Sequence, residues 1–403
     1  MTILSGLNTS LTGLLGFSRS LDVISDNLAN LNSAGFKAND LLLRDLGAGN
    51  PYAGFSRLQL DRGQGVEVVG TARRFTQGEI RQTGSDTNFA ISGDGFFIVA
   101  SEEGTRYTRA GQFQFDDRGR LVSSVGGGAL QALSGPGDVK DLSINRSRTF
   151  PPTATSNVSI AGNLSRGGES HTINDLSMID ADGASIPLTL NFTNNSETLA
   201  GSWAVTGTDA QGNELLSGEI RFDGVGTPVD GFSTLTLSLT ADSGTETDVL
   251  IDFGTPGSTD GTTSFSSGTN STATVRTVDG FAAGTLTSFT VGRDGVFTLQ
   301  YSNAQSEIGP SIAIARFTDP QQLQFLGQGD FEAPKGVRPT ISAPQIAGAG
   351  DLVSGSLELA NVELTNEFAQ ILILQRGFQS SSQVLNVSGE LIETLYNSVS
   401  GRG

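Results

Sequence analysis

The sequence predicts a mostly β protein with an α-helix at each end, in which the terminal helices pair as a coiled coil and two β-domains are inserted between them. Three observations predict this fold class. A seven-residue apolar repeat occurs at both ends of the chain, and short period-two alternations fill the middle. Glycine makes up 53 of 403 residues, which is typical of the many tight turns of β proteins.

The N-terminal repeat predicts a helix over residues 3–31. Its members are Leu7, Leu14, Leu21 and Leu28. A seven-residue spacing keeps an apolar stripe on one side of a helix, where it can pack against other helices. Gly6, Gly13 and Gly16 each weaken the helix by roughly 1 kcal/mol, so we expect it to order only when packed. Gly35 is the predicted left-handed stop behind it.

The C-terminal repeat is longer. Its members are Leu364, Ile371, Phe378, Leu385, Ile392 and Val399. Asn361 is the predicted N-cap of this helix, and Glu363 lies in its first turn near the positive end of the helix dipole. We expect the two helices to form one split domain whose apolar surface exceeds what a single partner helix can cover. The ten repeat residues are therefore the predicted assembly interface.

The middle of the chain divides by composition. Residues 151–280 contain sixteen Asp and Glu, three Arg and no Lys, a net charge of −13 from 3 − 16, and alternate like strands with one buried face. The predicted domains are a terminal helical polymerisation domain (1–40 and 356–403), connectors (41–65 and 334–355), an inner β-domain (66–150 and 281–333) and an outer acidic β-domain (151–280).

Composition also excludes several classes of function. Cysteine is absent, and the formal charge of −18 argues against nucleic acid as a partner. No stretch approaches 18 apolar residues, which argues against membrane insertion. The N-terminus has no basic segment before Arg19 and no cleavage motif, so we expect export without a cleaved signal peptide.

Catalytic chemistry has no candidate residues. The single histidine, His171, lies in a Gly/Ser-rich stretch and is interpreted as a solvated side chain. Asp180-Ala-Asp-Gly183 opens like a calcium loop but lacks the later ligands, so a β-turn is favoured. We predict no catalytic residue, no metal, no cofactor and no enzymatic activity.

Particular motifs resemble those of bacterial flagellar rod and hook axial proteins. They are Ser25-Asp-Asn-Leu-Ala-Asn30 with Ser33-Ala-Gly-Phe-Lys37, the blocks around Phe89–Phe97 and Tyr107–Phe113, and Gly355–Leu364 with Gln375-Arg-Gly-Phe-Gln379. The motif residues carried over from the family are Asn27, Ala29, Asn30, Gly35, Phe36, Lys37, Gly95, Phe96, Phe97, Arg109, Gly111, Phe113, Gln375 and Arg376.

The second half of the chain narrows this resemblance. Gly280–Leu286, Tyr301-Ser-Asn303 and Ala315–Gln321 are similar to the hook-forming members, and most rod members lack so large an insertion. The resemblance implies a structural subunit that polymerises into a curved, flexible extracellular tube between rod and filament and transmits motor torque as a universal joint. The alternatives are a distal rod protein of the same family and, in a different class, a secreted β-rich adhesin.

The resemblance also implies partners. They are further copies of the chain in a helical homopolymer, distal rod, hook cap and hook–filament junction proteins at its ends, and the flagellar type III export apparatus. It further implies that the terminal helices line the tube, with the inner β-domain around them and the acidic domain outermost.

Overall fold

The structure is a computed structural model and describes residues 2–46 and 65–400. A helix lies at each end of this range, α1 at Thr2–Ala29 and α2 at Leu364–Ser400, and strands fill the sequence between them. The predicted fold class, mostly β with terminal helices, is confirmed. Neither described helix has the long apolar stretch needed to cross a bilayer.

The strands follow in chain order. The first ten are β1 Asn39–Asp45, β2 Val66–Arg73, β3 Ile80–Gln82, β4 Phe89–Ser92, β5 Phe96–Ser101, β6 Gly104–Thr108, β7 Phe113–Phe115, β8 Leu121–Ser123, β9 Ala129–Gly135 and β10 Asp138–Asp141. The next ten are β11 Thr149–Phe150, β12 Asn157–Asn163, β13 Ser170–Ile179, β14 Ser185–Asn194, β15 Ser202–Thr208, β16 Glu214–Arg221, β17 Thr234–Thr240, β18 Glu246–Asp252, β19 Thr262–Thr263 and β20 Thr274–Val278. The last nine are β21 Gly284–Val291, β22 Val296–Tyr301, β23 Ser306–Ser311, β24 Ile314–Arg316, β25 Gln324–Gly327, β26 Asp330–Glu332, β27 Thr340–Ser342, β28 Asp351–Ser354 and β29 Ser356–Glu358.

Two compact units make up the chain. The first contains the residues up to Asn145, Thr290–Thr298 and those from Ile308 on, and the second contains Arg146–Phe289 and Leu299–Glu307. The chain passes from one unit to the other within β21, β22 and β23, which form a four-stranded sheet with β11 in the order β11-β21-β22-β23. The predicted domain limits remain predictions.

The first unit is built on a ten-stranded sheet with the order β25-β26-β6-β5-β9-β8-β7, to which β10, β24 and β27 are added. Its core is aromatic: Phe96 meets Phe317 and Phe331 edge-to-face at centroid distances of 5.9 and 5.8 Å. Two short antiparallel pairs, β4 with β28 and β3 with β29, join N-terminal to C-terminal sequence. These pairings bring the two ends of the chain together.

The second unit is a sandwich of two sheets, β17-β18-β12-β19 with β20 on β12, and β13-β14-β15-β16. Inward side chains from both sheets form one core around Trp203, Phe192 and Phe253, all fully buried. Period-two burial along β14 and β17 confirms the alternation read from the sequence. The acidic segment therefore folds around a single core.

Turns in both units follow the predicted chemistry. Asp180 Oδ1 accepts hydrogen bonds from the backbone N–H groups of Asp182 and Ala184 at 3.0 and 2.8 Å, and Gly183 has φ +87°. Asp116 accepts hydrogen bonds from the backbone N–H groups of Arg118 and Arg120 in the same way. The turn interpretation of the Asp180 segment is confirmed, and the Asp116 segment forms a turn of the same kind.

Both predicted connectors contain strands. The first connector, 41–65, includes most of β1, which pairs antiparallel with β2, with a register shift between Leu42 and Leu43 that hides the alternation. Residues 47–64 of that connector lie outside the described residues. The second connector, 334–355, contains β27 and β28.

The predicted N-cap at Asn361 is wrong. α2 begins at Leu364, and the Asn361 side chain is engaged elsewhere. Its Oδ1 accepts from Ala38 N at 2.7 Å, and its Nδ2 donates to the carbonyl oxygens of Arg74 and Thr76 at 2.6 and 2.9 Å. Tertiary partners therefore compete successfully with the local capping role.

Candidate assembly interface

The two helices pack closely at two glycines, one on each helix. A Cβ placed on Gly13 lies 3.4 Å from Ser381 Oγ, and one placed on Gly377 lies 2.6–3.0 Å from the Phe17 ring. Since Gly13 faces Ser381 while Phe17 faces Gly377, the helices run antiparallel. We call the contact of Gly13 and Phe17 with Gly377 and Ser381 the helix seam. Its glycines let the neighbouring helix approach closely.

Large apolar side chains are exposed on both helices. On α1, Leu15 is 55% exposed, and on α2, Ile373 is 67% exposed. The other exposed ones are Leu11, Leu21, Leu364, Phe368, Leu372, Phe378, Val384, Val387, Leu391, Ile392, Leu395 and Tyr396. Monomeric soluble proteins rarely expose so much contiguous apolar surface, and such surface marks an interaction site.

The predicted repeat residues differ in how far they are exposed. Leu21, Leu364, Phe378 and Ile392 are exposed, and Leu7, Leu14, Leu28, Ile371 and Leu385 are half-buried. The side chain of Val399 lies outside the described part of the structure.

A buried ion cluster joins the helical ends to the β-structure. Lys37 Nζ lies 2.6 Å from Glu358 Oε1, and Arg109 Nη1 lies 3.1 Å from Glu358 Oε2. The side chains of Lys37, Arg109 and Glu358 are 1%, 6% and 0% exposed, respectively. Burial lowers the pKa of Lys37, an effect that Glu358 opposes and Arg109 reinforces. We call Lys37, Arg109 and Glu358 the terminal junction.

Backbone groups complete the terminal junction. Glu358 Oε1 accepts from Gly78 N at 2.9 Å, Lys37 Nζ donates to Thr76 O at 2.8 Å, and Arg109 Nη2 donates to Gly93 O at 2.8 Å. Gly35 N donates to the Glu358 carbonyl oxygen at 2.8 Å. Both carboxylate oxygens of Glu358 are therefore occupied, as a buried charge requires.

Glycines of the family motif allow this close packing. Gly35 adopts φ +71°, as predicted, and a Cβ on it would overlap the backbone of Arg109 and Ala110. A Cβ on Gly111 would overlap the Phe89 carbonyl oxygen, and one on Gly95 (φ +130°) would overlap the Ile314 side chain. The motif phenylalanines are all buried: Phe36, Phe96, Phe97 and Phe113.

The remaining motif residues divide into two groups. Asn27 is 1% exposed and exchanges hydrogen bonds of 2.9 Å with the backbone of Asn39, which ties α1 to β1. Asn30 is half-buried and bonds Asp26 and Ser33 near the end of α1, where Ala29 is exposed. Gln375 and Arg376 are exposed on α2, far in sequence from the terminal junction.

Sequence reasoning missed the partners of these motif residues. Glu358 and Asn361 lie within the recognised Gly355–Leu364 block, but Glu358 was given no role and Asn361 the wrong one, and Glu367 was not singled out at all. Glu367 is 2% exposed on α2, its Oε1 is 3.5 Å from Asn27 Nδ2, and its Oε2 has no hydrogen-bond partner among the described residues. A charged residue in the first turn of a helix looks like a dipole partner in sequence, so burial could not be predicted.

Burial raises the pKa of Glu367, although Asn27 and Arg74 oppose the shift. A carboxyl whose pKa is higher in the folded than in the unfolded chain stabilises the fold below the unfolded value, and this stability is lost as pH rises through the folded value. We expect Glu367→Gln to gain stability over the natural chain as pH rises from about 4.5 towards neutrality. Urea unfolding followed by helical circular dichroism measures this difference. The same change at exposed Glu390 is the control, and a stability advantage of Glu367→Gln that stays constant or shrinks with rising pH contradicts the expectation.

Three protein-family profiles match the chain. They are described as "Flagella basal body rod protein" for residues 7–37, "Flagellar hook protein FlgE/F/G D1 domain" for residues 90–149 and "Flagellar basal body rod FlgEFG protein C-terminal" for residues 353–398. The first and third profiles contain most of α1 and α2, and the second ends beside the predicted start of the acidic domain.

Curated relatives match along nearly the whole chain. The flagellar hook protein FlgE of Borreliella burgdorferi is 26% identical, with 98% of this chain and 99% of the relative covered. FlgE of Escherichia coli K12 is 25% identical over 96% and 98% of the two chains. A crystal structure of Helicobacter pylori FlgE2 matches with 12% identity and a TM-score of 0.42, covering 70% of this chain and all of the other.

Proposed function

Because this chain belongs to the bacterial flagellar hook protein family and is a structural subunit of the flagellar hook, not an enzyme, we propose that its copies join through the exposed faces of α1 and α2. Membership of the family implies self-polymerisation within the flagellum. The observation that supports the role of the helices is that large apolar side chains stay exposed on both α1 and α2.

The energetics favour contacts between copies. Burying one exposed Leu or Ile side chain contributes roughly 1.5–3 kcal/mol, and more than a dozen large apolar residues on the two helices are available. A subunit whose two faces differ makes heterologous contacts, which generate an open helical polymer instead of a closed ring. The predicted interface residues, from Leu7–Leu28 and Leu364–Val399, belong to this surface in the proposal.

The proposed division of labour follows the predicted domains. Residues 1–40 and 356–403 polymerise, residues 66–150 and 281–333 form the inner β-domain, and residues 151–280 form the outer acidic domain. The polymer is a curved tube that bends while it transmits torque, which makes it a universal joint. Support comes from two compact units, each with its own core, because separate cores let a subunit deform between units without unfolding.

Further partners and the location belong to the same proposal. The tube contacts distal rod proteins at one end and hook cap or hook–filament junction proteins at the other, and it lies outside the cell. Subunits reach it through the flagellar type III export apparatus. Family membership supports these points, as do terminal helices with glycines at Gly6, Gly13 and Gly16, which are easily unfolded for transit.

Substituting exposed helical residues tests the proposed interface. The double variant Leu15→Gln/Ile373→Gln is expected to keep a folded monomer, because exposed substitutions change stability by only about 0.5 kcal/mol. It is expected to lose polymerisation, measured by sedimentation and electron microscopy. Leu199→Gln/Val225→Gln, in exposed apolar positions of the second unit, is the matched control and should polymerise normally. Normal tubes from the helical variant would show that these faces do not form the interface.

A further inference from the structure

The terminal junction carries an excess of positive charge until its last member arrives. Lys37 and Arg109 belong to the first part of the chain, whereas Glu358 is 321 and 249 residues further on. Among the described residues, Glu358 is the only carboxylate that forms an ion pair with either cation. Synthesis runs from the N-terminus, so both cations are made long before their shared anion.

We propose that the terminal junction is an electrostatic latch, which prevents the N-terminal segment from docking on the inner strands until Glu358 is in place. Without Glu358, docking of the N-terminal segment would bury Lys37 and Arg109 with no carboxylate beside them. Their partners would then be only carbonyl oxygens, those of Thr76, Ile91 and Gly93. Buried charges without a counter-charge are strongly unfavourable, so the undocked N-terminal segment is the more stable state.

The geometry around the latch couples it to α1. Residues 33–39 connect α1 to the terminal junction, and Gly35 N bonds the backbone carbonyl of Glu358 itself. On the far side, β29 pairs with β3 through Glu358 opposite Ile80, and Asn361 binds Ala38 N three residues further along. Closing the latch therefore brings α1, β3 and the start of α2 together in one step.

The other charged groups nearby do not replace Glu358. Asp40 pairs with Arg74, Asp94 lies 3.9 Å from Arg316, and Glu79 is exposed. Glu367 contacts Asn27 and forms no ion pair with either cation among the described residues. Glu358 is thus the group whose arrival decides whether the two cations can be buried.

The latch rests on the proposed assembly function for its biological meaning. A chain without its C-terminal segment cannot hold α1 in place, so it does not present the apolar α1 face in the arrangement that polymerises. Incomplete chains are thereby kept out of the polymer, and ordering of both ends occurs together.

A double-mutant cycle in the full-length chain tests the latch. Glu358→Gln leaves two buried cations, Lys37→Met leaves a balanced Arg109–Glu358 pair, and the combination leaves one cation. We expect amide exchange in residues 25–39 and 80–92 to rise by roughly 100-fold or more in Glu358→Gln, by much less in Lys37→Met, and to fall back towards the natural rate in the double variant. Exposed Glu332→Gln is the control.

If the terminal junction were an ordinary ion pair, Glu358→Gln and Lys37→Met would lose similar protection from amide exchange. The double variant would then lose at least as much protection as either single variant. That result, or unchanged exchange in Glu358→Gln, overturns the latch. If Glu358→Gln is too unstable to isolate, recovery of a folded chain by the double variant supports the latch and failure to recover it opposes it. The addition of each variant to preformed polymer of the natural chain should decrease as its amide exchange increases. If the natural chain itself does not polymerise, the proposed function fails, while the exchange data still decide the latch.

Discussion

Replacing Gly111 with alanine is expected to unfold the first unit while the second unit remains folded. The new Cβ would overlap the Phe89 carbonyl oxygen, and it would lie 3.3 Å from the Phe97 ring. Phe89 and Phe97 are fully buried, and Phe89 N donates to Gly111 O at 2.9 Å, so neither chain segment can move aside cheaply. We expect a loss of at least about 4 kcal/mol, at the upper end of what one substitution causes.

The single tryptophan separates the two units in this experiment. Trp203 lies in the core of the second unit, so its fluorescence reports on that unit alone. Gly111→Ala should abolish exchange protection in β4–β6 and leave the Trp203 emission unchanged. Gly224→Ala, at a position with open space around it, is the matched control. A Gly111→Ala chain with normal protection in the first unit would show that the predicted overlap is relieved at little cost.

Replacing Gly377 with alanine is expected to separate the terminal helices. Its Cβ would lie 2.6–3.0 Å from three atoms of the Phe17 ring, which is tighter than real Cβ contacts. Overpacking costs about 1–3 kcal/mol, and alanine returns about 1 kcal/mol through its higher helix propensity. The Phe17 ring must move to make room, so the variant should weaken α1–α2 contact and polymerisation.

Gly389 supplies the matched control on the same helix. No atom of the described residues lies within 4 Å of a Cβ placed there, so Gly389→Ala should raise the helical stability of the monomer by about 1 kcal/mol. Gly377→Ala and Gly389→Ala are thus expected to change the stability of the monomer in opposite directions. Thermal unfolding of the monomers, followed by circular dichroism at a helical wavelength, measures both. Equal stabilisation by the two variants would show that Phe17 swings away and that the helix seam does not depend on Gly377.

Much of the fold could be predicted because it depends on local periodicity. The seven-residue repeats predicted α1 and α2, and period-two alternation predicted strands such as β14 and β17 with their buried faces. The turn around Asp180 was predicted from the tendency of Asp and Gly to form a specific hydrogen-bonded turn. These features depend on residues within a few positions of each other, so the sequence contains the necessary information.

The candidate assembly interface was predictable only in part. The sequence indicated two apolar helices but not that Gly13 meets Ser381 and Phe17 meets Gly377 where they pack. A glycine in a helix looks like a defect in sequence, and only its partner shows that it permits close approach.

The sequence by itself determined that helices end the chain, that strands fill it, and that the acidic segment lies in one stretch, since each of these follows from neighbouring residues. Only the tertiary structure decided that Lys37, Arg109 and Glu358 meet in one buried cluster and that Asn361 binds Ala38 instead of capping α2. The physical reason is that these contacts join residues 249 to 323 positions apart, and burial and pairing of charges depend on which distant segments pack together.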